Sequence, residues 1–244
     1  MIWLAALFVA LAGAASATDC RQEDYAGNAY TICEVDLTQE QLALFLADDD
    51  GEVFGYFSNV DSALQAQGAR LGFATNAGMY HDDRRPVGHY LEDGVEVQRV
   101  IPNAGPGNFG LLPNGVLCLR EGRADVVETL RFLSENPACT SATQSGPMLV
   151  IDGALHPRFL PDSTSRFIRN GVGTSADGTR AVFAISDTTV TFHEFGSLFR
   201  DHLGLDQALY LDGNISRLRA PELGRSGAGF TALGPIIGVV EPAG

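Results

Sequence analysis

The sequence contains no lysine, because each of its 16 basic residues is an arginine. A lysine is required by a phosphate-binding P-loop, by Schiff-base catalysis and by a Ser-Lys nucleophile, so these three chemistries are excluded. Tryptophan is almost absent too, since Trp3, near the N-terminus, is the only one. Any stacking on a sugar or a base by the rest of the chain must therefore use Tyr, Phe or Arg.

Positive charge is scarce as well, and the formal net charge is −14 at pH 7. A chain this acidic is a poor partner for nucleic acid and for anionic membrane surfaces. Beyond residue 17, no apolar run is long enough to cross a bilayer as a helix. These absences predict a soluble protein that acts neither on nucleic acid nor within a membrane.

The first 17 residues, MIWLAALFVALAGAASA, carry no charged side chain and end in small residues. A short apolar run followed by a small-x-small site is typical of a cleaved secretory signal peptide. Thr18 and Asp19 precede Cys20, where lipidation would need a small residue, so we reject a lipid anchor. No repeat or linker interrupts the remaining chain. We therefore expect an exported protein, periplasmic or secreted, with a single domain over residues 18–244.

Four cysteines follow the predicted signal peptide, namely Cys20, Cys33, Cys118 and Cys139. An even number in an exported chain favours disulfides, and four cysteines allow three pairings. Closeness in sequence favours Cys20–Cys33 and Cys118–Cys139. A zinc site is the alternative, but the chain has no CxxC motif and no nearby pair of histidines to support it.

Short apolar runs bounded by Gly, Pro, Asn or Asp predict a series of strands along the chain. They are YTICEVDL (30–37), EVFGYF (52–57), LGFAT (71–75), FGLL (109–112), GVLCL (115–119), MLVI (148–151), AVFAIS (181–186), ALYLD (208–212) and PIIGVV (235–240). Several are continuous rather than alternating, which is expected of strands covered on both faces.

Helical spacing predicts helices from Thr38 to about residue 47, from Asp61 to Gln67, and over 126–136 and 191–204. The last of these begins with a capping box, Thr191 and Glu194. The mixture predicts an α/β or α+β fold, a single domain with a large mixed sheet flanked by helices.

Polar residues stand at the ends of several predicted strands. Asn76 follows LGFAT, Ser145 precedes MLVI, Asp187 follows AVFAIS, and Asp212 ends ALYLD. Arg169 lies between the second and third of these positions. Because binding residues gather where strands end and loops begin, we expect these segments to converge on one cleft.

Five segments, in this order, resemble the motifs of the phosphodiester glycosidase family. They are NAGMY, SGPMLVIDG, RNGVG, TFHEFGSLFRDHLG and YLDGNIS, and the resemblance covers roughly residues 70–240. The family includes the enzyme that uncovers mannose 6-phosphate and bacterial exopolysaccharide-associated relatives. The sequence departs from the pattern at Ala77, Asn214 and Ile215, where the family carries glycine. These departures place side chains where the family leaves room.

The resemblance implies hydrolysis of a sugar-1-phosphodiester in an envelope or extracellular glycan. Asp212 is then the expected acid/base, with Asp187 as its partner, and Arg169 binds the phosphate in a two-pronged fashion. Further residues of the motifs are expected to hold the substrate: Asn76, Gly78, Ser145, Gly146, Gly213 and Ser216. We predict no cofactor, while a divalent cation stays open.

Other interpretations of these residues remain open. An aspartate before a glycine often caps a turn, as Asp212 and Asp152 could do. Ser145 could be a nucleophile, but it lacks the G-x-S-x-G elbow. His81 and His89, close to the first motif, could transfer protons. A non-catalytic glycan-binding protein on the same fold is the main alternative function.

Overall fold

The structure is a computed structural model that describes residues 18–212 and 215–243. The predicted signal peptide and Gly213–Asn214 lie outside the described residues. Strands dominate the described part, and each pair of neighbouring strands is antiparallel. The predicted mixed sheet flanked by helices is therefore corrected to three antiparallel sheets with few helices.

The strands are β1 (Asp19–Tyr25), β2 (Asn28–Asp36), β3 (Gln41–Phe45), β4 (Ala69–Asn76), β5 (Tyr90–Glu92), β6 (Val95–Gln98), β7 (Gly115–Arg120), β8 (Arg123–Glu128), β9 (Ser141–Ser145), β10 (Met148–Ile151), β11 (Ala154–Leu155), β12 (Asn170–Thr174), β13 (Arg180–Ser186), β14 (Gln207–Asp212), β15 (Leu218–Arg219) and β16 (Ile236–Pro242). Sheet I has the order β1-β2-β13-β12-β14-β10-β11. Sheet II has the order β15-β4-β16-β3, and sheet III the order β6-β5-β9-β7-β8.

Three short α-helices accompany the sheets within the described ranges: α1 (Phe57–Gln65), α2 (Thr129–Glu135) and α3 (Phe192–Ser197). The predicted capping box at the start of α3 is confirmed, since the Thr191 hydroxyl accepts from the Glu194 N–H at 3.1 Å and the Glu194 carboxylate accepts from the Thr191 N–H at 2.7 Å. A π-helical turn, Leu198–His202, continues α3, and a 3₁₀ turn spans Pro221–Leu223.

The continuous apolar strands are explained by burial of sheet I on both faces. In β14, Leu209 and Leu211 belong to a core cluster that also takes residues from sheets II and III. Ala208 and Tyr210 belong to a second cluster, under α3. Both faces of an antiparallel sheet are therefore covered here, and a continuous apolar run does not require the parallel pairing with which it is usually associated.

The helix predicted from Thr38 is wrong, because this segment turns into β3. The Glu40 carboxylate accepts the Asp36 N–H at 2.8 Å and the Thr18 hydroxyl at 2.6 Å. Glu40 therefore closes the turn between β2 and β3 rather than a capping box. The residues of β3 then pair with β16, at the other end of the chain, which overrides their helical pattern.

Four other predicted elements differ from the structure. The expected strand at 52–57 is reduced to an isolated bridge at Val53, and α1 begins at Phe57 instead of Asp61. Residues 109–112 lie in a loop. The expected helix over 126–136 divides into the end of β8 and α2, with Glu128 accepting the Arg131 N–H at the boundary. Boundaries of this kind depend on which residues reach a neighbouring strand.

Both predicted disulfides are confirmed. Cys20–Cys33 joins β1 to β2, and Cys118–Cys139 joins β7 to the segment before β9. The sequence separations of 13 and 21 residues correspond to roughly 3 kcal/mol of stabilisation each, if the effect is on the unfolded chain. Among the helices of the described residues, none is long and apolar enough to cross a membrane.

Candidate active site

One end of sheet I brings together three segments that the sequence singled out. Both β13 and β14 run antiparallel to β12, so their last residues lie beside its first residue, Asn170. Asp212 ends β14 and lines a cavity of about 620 Å³. The other walls come from the segment 79–87, the loop 106–109, Ile215 and Thr231. This cavity, called the cleft below, is the candidate active site.

An amide network fixes the backbone of Asp212 at the cleft. The Asn170 side-chain oxygen accepts the Asp212 N–H at 2.9 Å. The Asn170 amide group donates to the Asn76 side-chain oxygen at 2.9 Å and to the Thr75 hydroxyl at 3.0 Å. The Asn76 oxygen also accepts the Arg217 N–H at 3.1 Å. Asn76 is thus buried between sheets I and II, where it supports the carboxylate strand.

Ser145 and the two predicted glycines of the earlier motifs lie behind the cleft. The Ser145 hydroxyl is fully buried and donates to the Leu211 carbonyl at 2.8 Å, so it braces the strand just before Asp212. A Cβ at Gly146 would lie 2.5 Å from the Asn114 Cβ. Gly78 has a φ of +139° and lies against the Thr143 hydroxyl. These positions serve close packing, and the geometry gives no support to a serine nucleophile.

Ser216 closes the segment that follows Asp212. Its hydroxyl donates to the Asp212 carbonyl at 2.9 Å and to the Ile168 carbonyl at 3.4 Å. Gly213, the remaining predicted residue of this motif, lies outside the described residues, as does Asn214. Ile215 lines the cleft and also packs beside the small apolar cluster of α1 and sheet II.

Arg169 lies in the protein interior and is not part of the cleft lining. It is 1% exposed, and its Nε donates to the Val190 carbonyl at 2.9 Å. Its Nη2 donates to the Ser165 carbonyl at 3.2 Å, and its guanidinium lies 3.6 Å from the centre of the Phe192 ring. Burial lowers the pKa of Arg169, and no carboxylate of the described ranges forms an ion pair with it.

Asp187 is held by an ion pair. Its carboxylate accepts the Arg225 guanidinium at 2.5 Å and the Thr31 hydroxyl at 2.8 Å, and the same arginine donates to Thr31 at 2.7 Å. Asp187 is not among the residues that line the cleft. Its predicted partnership with Asp212 stays a prediction, while the observed contacts join β13 to β2 and to the segment after β15.

The structure adds Tyr80 and Arg84 to the cleft. The Arg84 guanidinium lies 5.4 Å from the centre of the Tyr80 ring, and both residues line the cavity with Asp212. Burial raises the pKa of Tyr80, the charge of Asp212 raises it further, and Arg84 and Arg217 lower it. The neighbouring Arg85 is exposed and pairs with Asp83 at 2.7 Å. Neither Tyr80 nor Arg84 was among the site residues predicted from the sequence, because their loop carries no regular period that would mark it.

The histidines of the first motif separate into two environments. His81 lines the cleft, whereas His89 is buried with its Nδ1 2.8 Å from the Gln98 carbonyl. Asp152, predicted as a turn residue, follows β10 and pairs with Arg131 at 2.8 Å. In the described parts of the chain, no group of three or more His, Cys, Asp and Glu side chains has the arrangement of a metal site.

Comparison with known proteins agrees with this picture. The family model for phosphodiester glycosidases matches residues 69–220, and the chain belongs to that family. The matched range runs from the first residue of β4 to the residue after β15, and includes the cleft residues Tyr80, Arg84 and Asp212. The recognition made from the five motifs is therefore confirmed.

Three known proteins are similar to this chain. The uncharacterized protein YigE of Escherichia coli (strain K12) is 32% identical over 207 residues, which is 84% of this chain and 79% of that protein. The catalytic domain of zebrafish N-acetylglucosamine-1-phosphodiester alpha-N-acetylglucosaminidase, auto-inhibited by its pro-peptide, has a TM-score of 0.63 at 12% identity and covers 94% of this chain and 84% of that one. A hypothetical protein from Synechocystis has a TM-score of 0.58 at 13% identity and covers 92% and 62%. The two structures share the fold.

Proposed function

We propose that this protein hydrolyses a sugar-1-phosphodiester and releases the sugar from the phosphate. The observation that carries the proposal is the position of Asp212, which a hydrogen-bond network holds at the wall of a cleft that also contains Arg84. Family membership supports the reaction class. The zebrafish relative, by its name, acts on an N-acetylglucosamine-1-phosphodiester.

Arg84 is the side chain in the cleft lining that suits a phosphate. A guanidinium binds two phosphate oxygens at once, and Arg84 has no ion pair among the described residues. Arg169, which the sequence predicts to bind the phosphate, is buried and does not line the cleft. Its charge, uncompensated by a carboxylate, contributes a positive potential through a medium of low dielectric constant.

Asp212 supplies the proton transfer in the proposed reaction. The bond between the sugar carbon and the bridging oxygen breaks, and the oxygen leaves with the phosphate after accepting a proton from the protonated carboxyl group. A water molecule adds to the sugar carbon and returns its proton to the carboxylate, so that the catalyst is regenerated. Tyr80, whose pKa is raised, remains protonated and available to donate a hydrogen bond.

The test is turnover by the mature protein of an N-acetylglucosamine-1-phosphodiester, with identification of both products. We expect free sugar and a phosphate monoester from the wild-type protein and none from Asp212→Asn. Equal product formation by the two proteins would remove Asp212 from the mechanism. Asp187→Asn is the matched control, because it changes the aspartate that follows β13, on the other side of β12 and outside the cleft lining.

A second candidate function is glycan binding without catalysis. Ile215 stands where the family carries glycine, and its side chain lines the cleft. A branched side chain at this point narrows the space for a substrate beside Asp212. Calorimetric binding of a glycan by wild-type protein that shows no turnover of any sugar-1-phosphodiester would select this function.

We further propose that the protein is exported and acts on envelope or extracellular glycan, including exopolysaccharide. The apolar segment 1–17 and the two disulfides support export, because disulfides persist in oxidising compartments. Cell fractionation with thiol labelling tests this. Recovery of full-length protein in the cytosol with four reactive thiols would contradict it.

A further inference from the structure

Tyr210 carries a buried hydroxyl group that the described residues satisfy poorly. The side chain is fully buried in the cluster under α3, and its hydroxyl forms no hydrogen bond of normal geometry with a described residue, although Arg169 and the Asn108 side chain lie close to it. Such a group costs roughly 1–3 kcal/mol of lost hydration when it stays unpaired, so its retention calls for a ligand or a structural reason.

Tyr210 is not itself part of the cleft lining, but it lies two residues before Asp212 on β14, in the cluster against which the cleft residue Met79 packs. Burial raises the pKa of Tyr210, the charge of Arg169 lowers it, the charge of Asp212 raises it, and the Asn108 side chain lowers it through a hydrogen-bonding contact. Asp212 and Asn108 both line the cleft. The Tyr210 ring is fixed edge-on against Phe192 at 4.8 Å between ring centres.

The surroundings of this hydroxyl suit an anion. The Arg169 guanidinium, 5.6 Å from the Tyr210 ring centre, is a buried cation without a carboxylate partner in the described ranges. Its Nε and Nη2 donate to backbone carbonyls, which carry no net charge to neutralise it. A buried uncompensated charge is costly, and an anionic oxygen bound nearby relieves that cost.

We infer that the Tyr210 hydroxyl binds the substrate by donating a hydrogen bond to an anionic phosphate oxygen in the cleft. The inference rests on the proposed function for the identity of the anion. The ligand oxygen reaches the hydroxyl by displacing the Asn108 side chain, which belongs to an exposed glycine- and proline-rich loop. The buried Arg169 stabilises the bound anion from behind without touching it.

The burial of Tyr210 also fixes its protonation state. Desolvation is the largest cause of its raised pKa, so the phenol remains a hydrogen-bond donor throughout the neutral range. A donor that is held by a rigid ring and needs no reorientation contributes more to binding than one on a flexible side chain.

Tyr30 provides a matched control within the same molecule. It is 1% exposed, belongs to the same cluster under α3, and its hydroxyl is likewise unpaired among the described residues. It lies on β2 rather than on β14, the strand that ends at Asp212. Replacing either tyrosine by phenylalanine removes one unsatisfied hydroxyl and preserves the packing.

The experiment is a calorimetric titration of glucose 1-phosphate, and of methyl glucoside as the uncharged counterpart, into wild type, Tyr210→Phe and Tyr30→Phe. We expect Tyr210→Phe to weaken glucose 1-phosphate binding about tenfold, and Tyr30→Phe to leave it unchanged. Binding of methyl glucoside should not distinguish the three proteins. Asn108→Ala should bind glucose 1-phosphate at least as tightly as wild type, because it opens access to the hydroxyl.

Equal affinity of Tyr210→Phe and wild type for glucose 1-phosphate would overturn the inference, as would the absence of measurable binding by wild type. Equal weakening by the two substitutions would assign both hydroxyls to the core and overturn it as well. This binding experiment is independent of turnover. A wild-type protein that binds the sugar phosphate through Tyr210 but hydrolyses no diester would disprove the proposed reaction and leave the anion site standing.

Discussion

Asp187 and Asp212 follow the same pattern in sequence and meet different surroundings in the structure. Each ends an apolar strand of sheet I, and the two strands flank β12 in the same orientation. Asp187 is neutralised by Arg225, whereas Asp212 faces a cleft and has its backbone fixed by Asn170. The contrast shows that the surroundings of a strand-end carboxylate depend on which distant segments of the chain pack beside it.

The largest expected effect comes from replacing the acid/base group of Asp212. We expect Asp212→Asn to lower kcat for a sugar-1-phosphodiester by about 10²–10⁴-fold, because general acid–base transfer is lost. The free energy of unfolding, measured with urea, should change little, since the backbone hydrogen bond from residue 212 to Asn170 is kept. A loss of activity that parallels a loss of stability would contradict this assignment.

The same change at Asp187 should act on stability instead of turnover. Asp187→Asn breaks a half-buried ion pair with Arg225, so we expect a loss of about 1 kcal/mol in the free energy of unfolding and nearly unchanged kcat. Urea unfolding and steady-state kinetics on one preparation measure both. A hundredfold drop in kcat with unaltered stability would restore Asp187 as the second catalytic carboxylate.

Arg84 and Arg85 are adjacent in sequence, so substituting each compares a cleft residue with a surface residue. Arg84→Gln should raise KM about five- to tenfold with little change in kcat, because a charge-assisted contact to the phosphate is removed from the bound substrate. Arg85→Gln, whose arginine pairs with Asp83 in solvent, should leave both constants unchanged. Identical KM values for the two variants would remove Arg84 from phosphate binding.

The smallest effect is expected at Asp177, an exposed aspartate in the turn between β12 and β13, away from the cleft. Hydrogen bonds from Ser175 and Thr179 lower its pKa to about 2. A lowered folded-state pKa stabilises the protein above the unfolded-state pKa of about 4, and this contribution disappears as the pH falls toward 2. Wild type should therefore exceed Asp177→Asn slightly in unfolding midpoint at pH 7, and the difference should vanish near pH 2. If the difference in unfolding midpoint grew as the pH was lowered, the lowered pKa of Asp177 would be contradicted.

Much of sheet I could be predicted because its strands are continuous apolar runs between chain-breaking residues. β10, β13 and β14 were located in this way, within a few residues. The antiparallel pairing was not predictable, because both faces of this sheet are buried and the usual alternation of polar and apolar residues is missing. The segment after Thr38 failed for a related reason, since its partner strand lies almost two hundred residues away.

Some residues of the candidate site could likewise be predicted from local sequence features, and others could not. Asp212 could be found from its strand end and motif, which are local features. The burial of Arg169 could not, because the Phe192 ring and the Val190 carbonyl that receive its guanidinium belong to a later segment of the chain. Tyr80 and Arg84 reach the cleft from an irregular loop. Tyr210 has the sequence pattern of an ordinary core residue, and only the structure shows that its hydroxyl lacks a well-formed hydrogen bond within the described residues.

The position of β16 has a consequence for how the chain is made. This last strand lies between β3 and β4 in the middle of sheet II, so the two early strands have no direct pairing with each other. Sheet II therefore cannot form until residues 236–242 have been synthesised, whereas every strand of sheets I and III precedes them in the sequence.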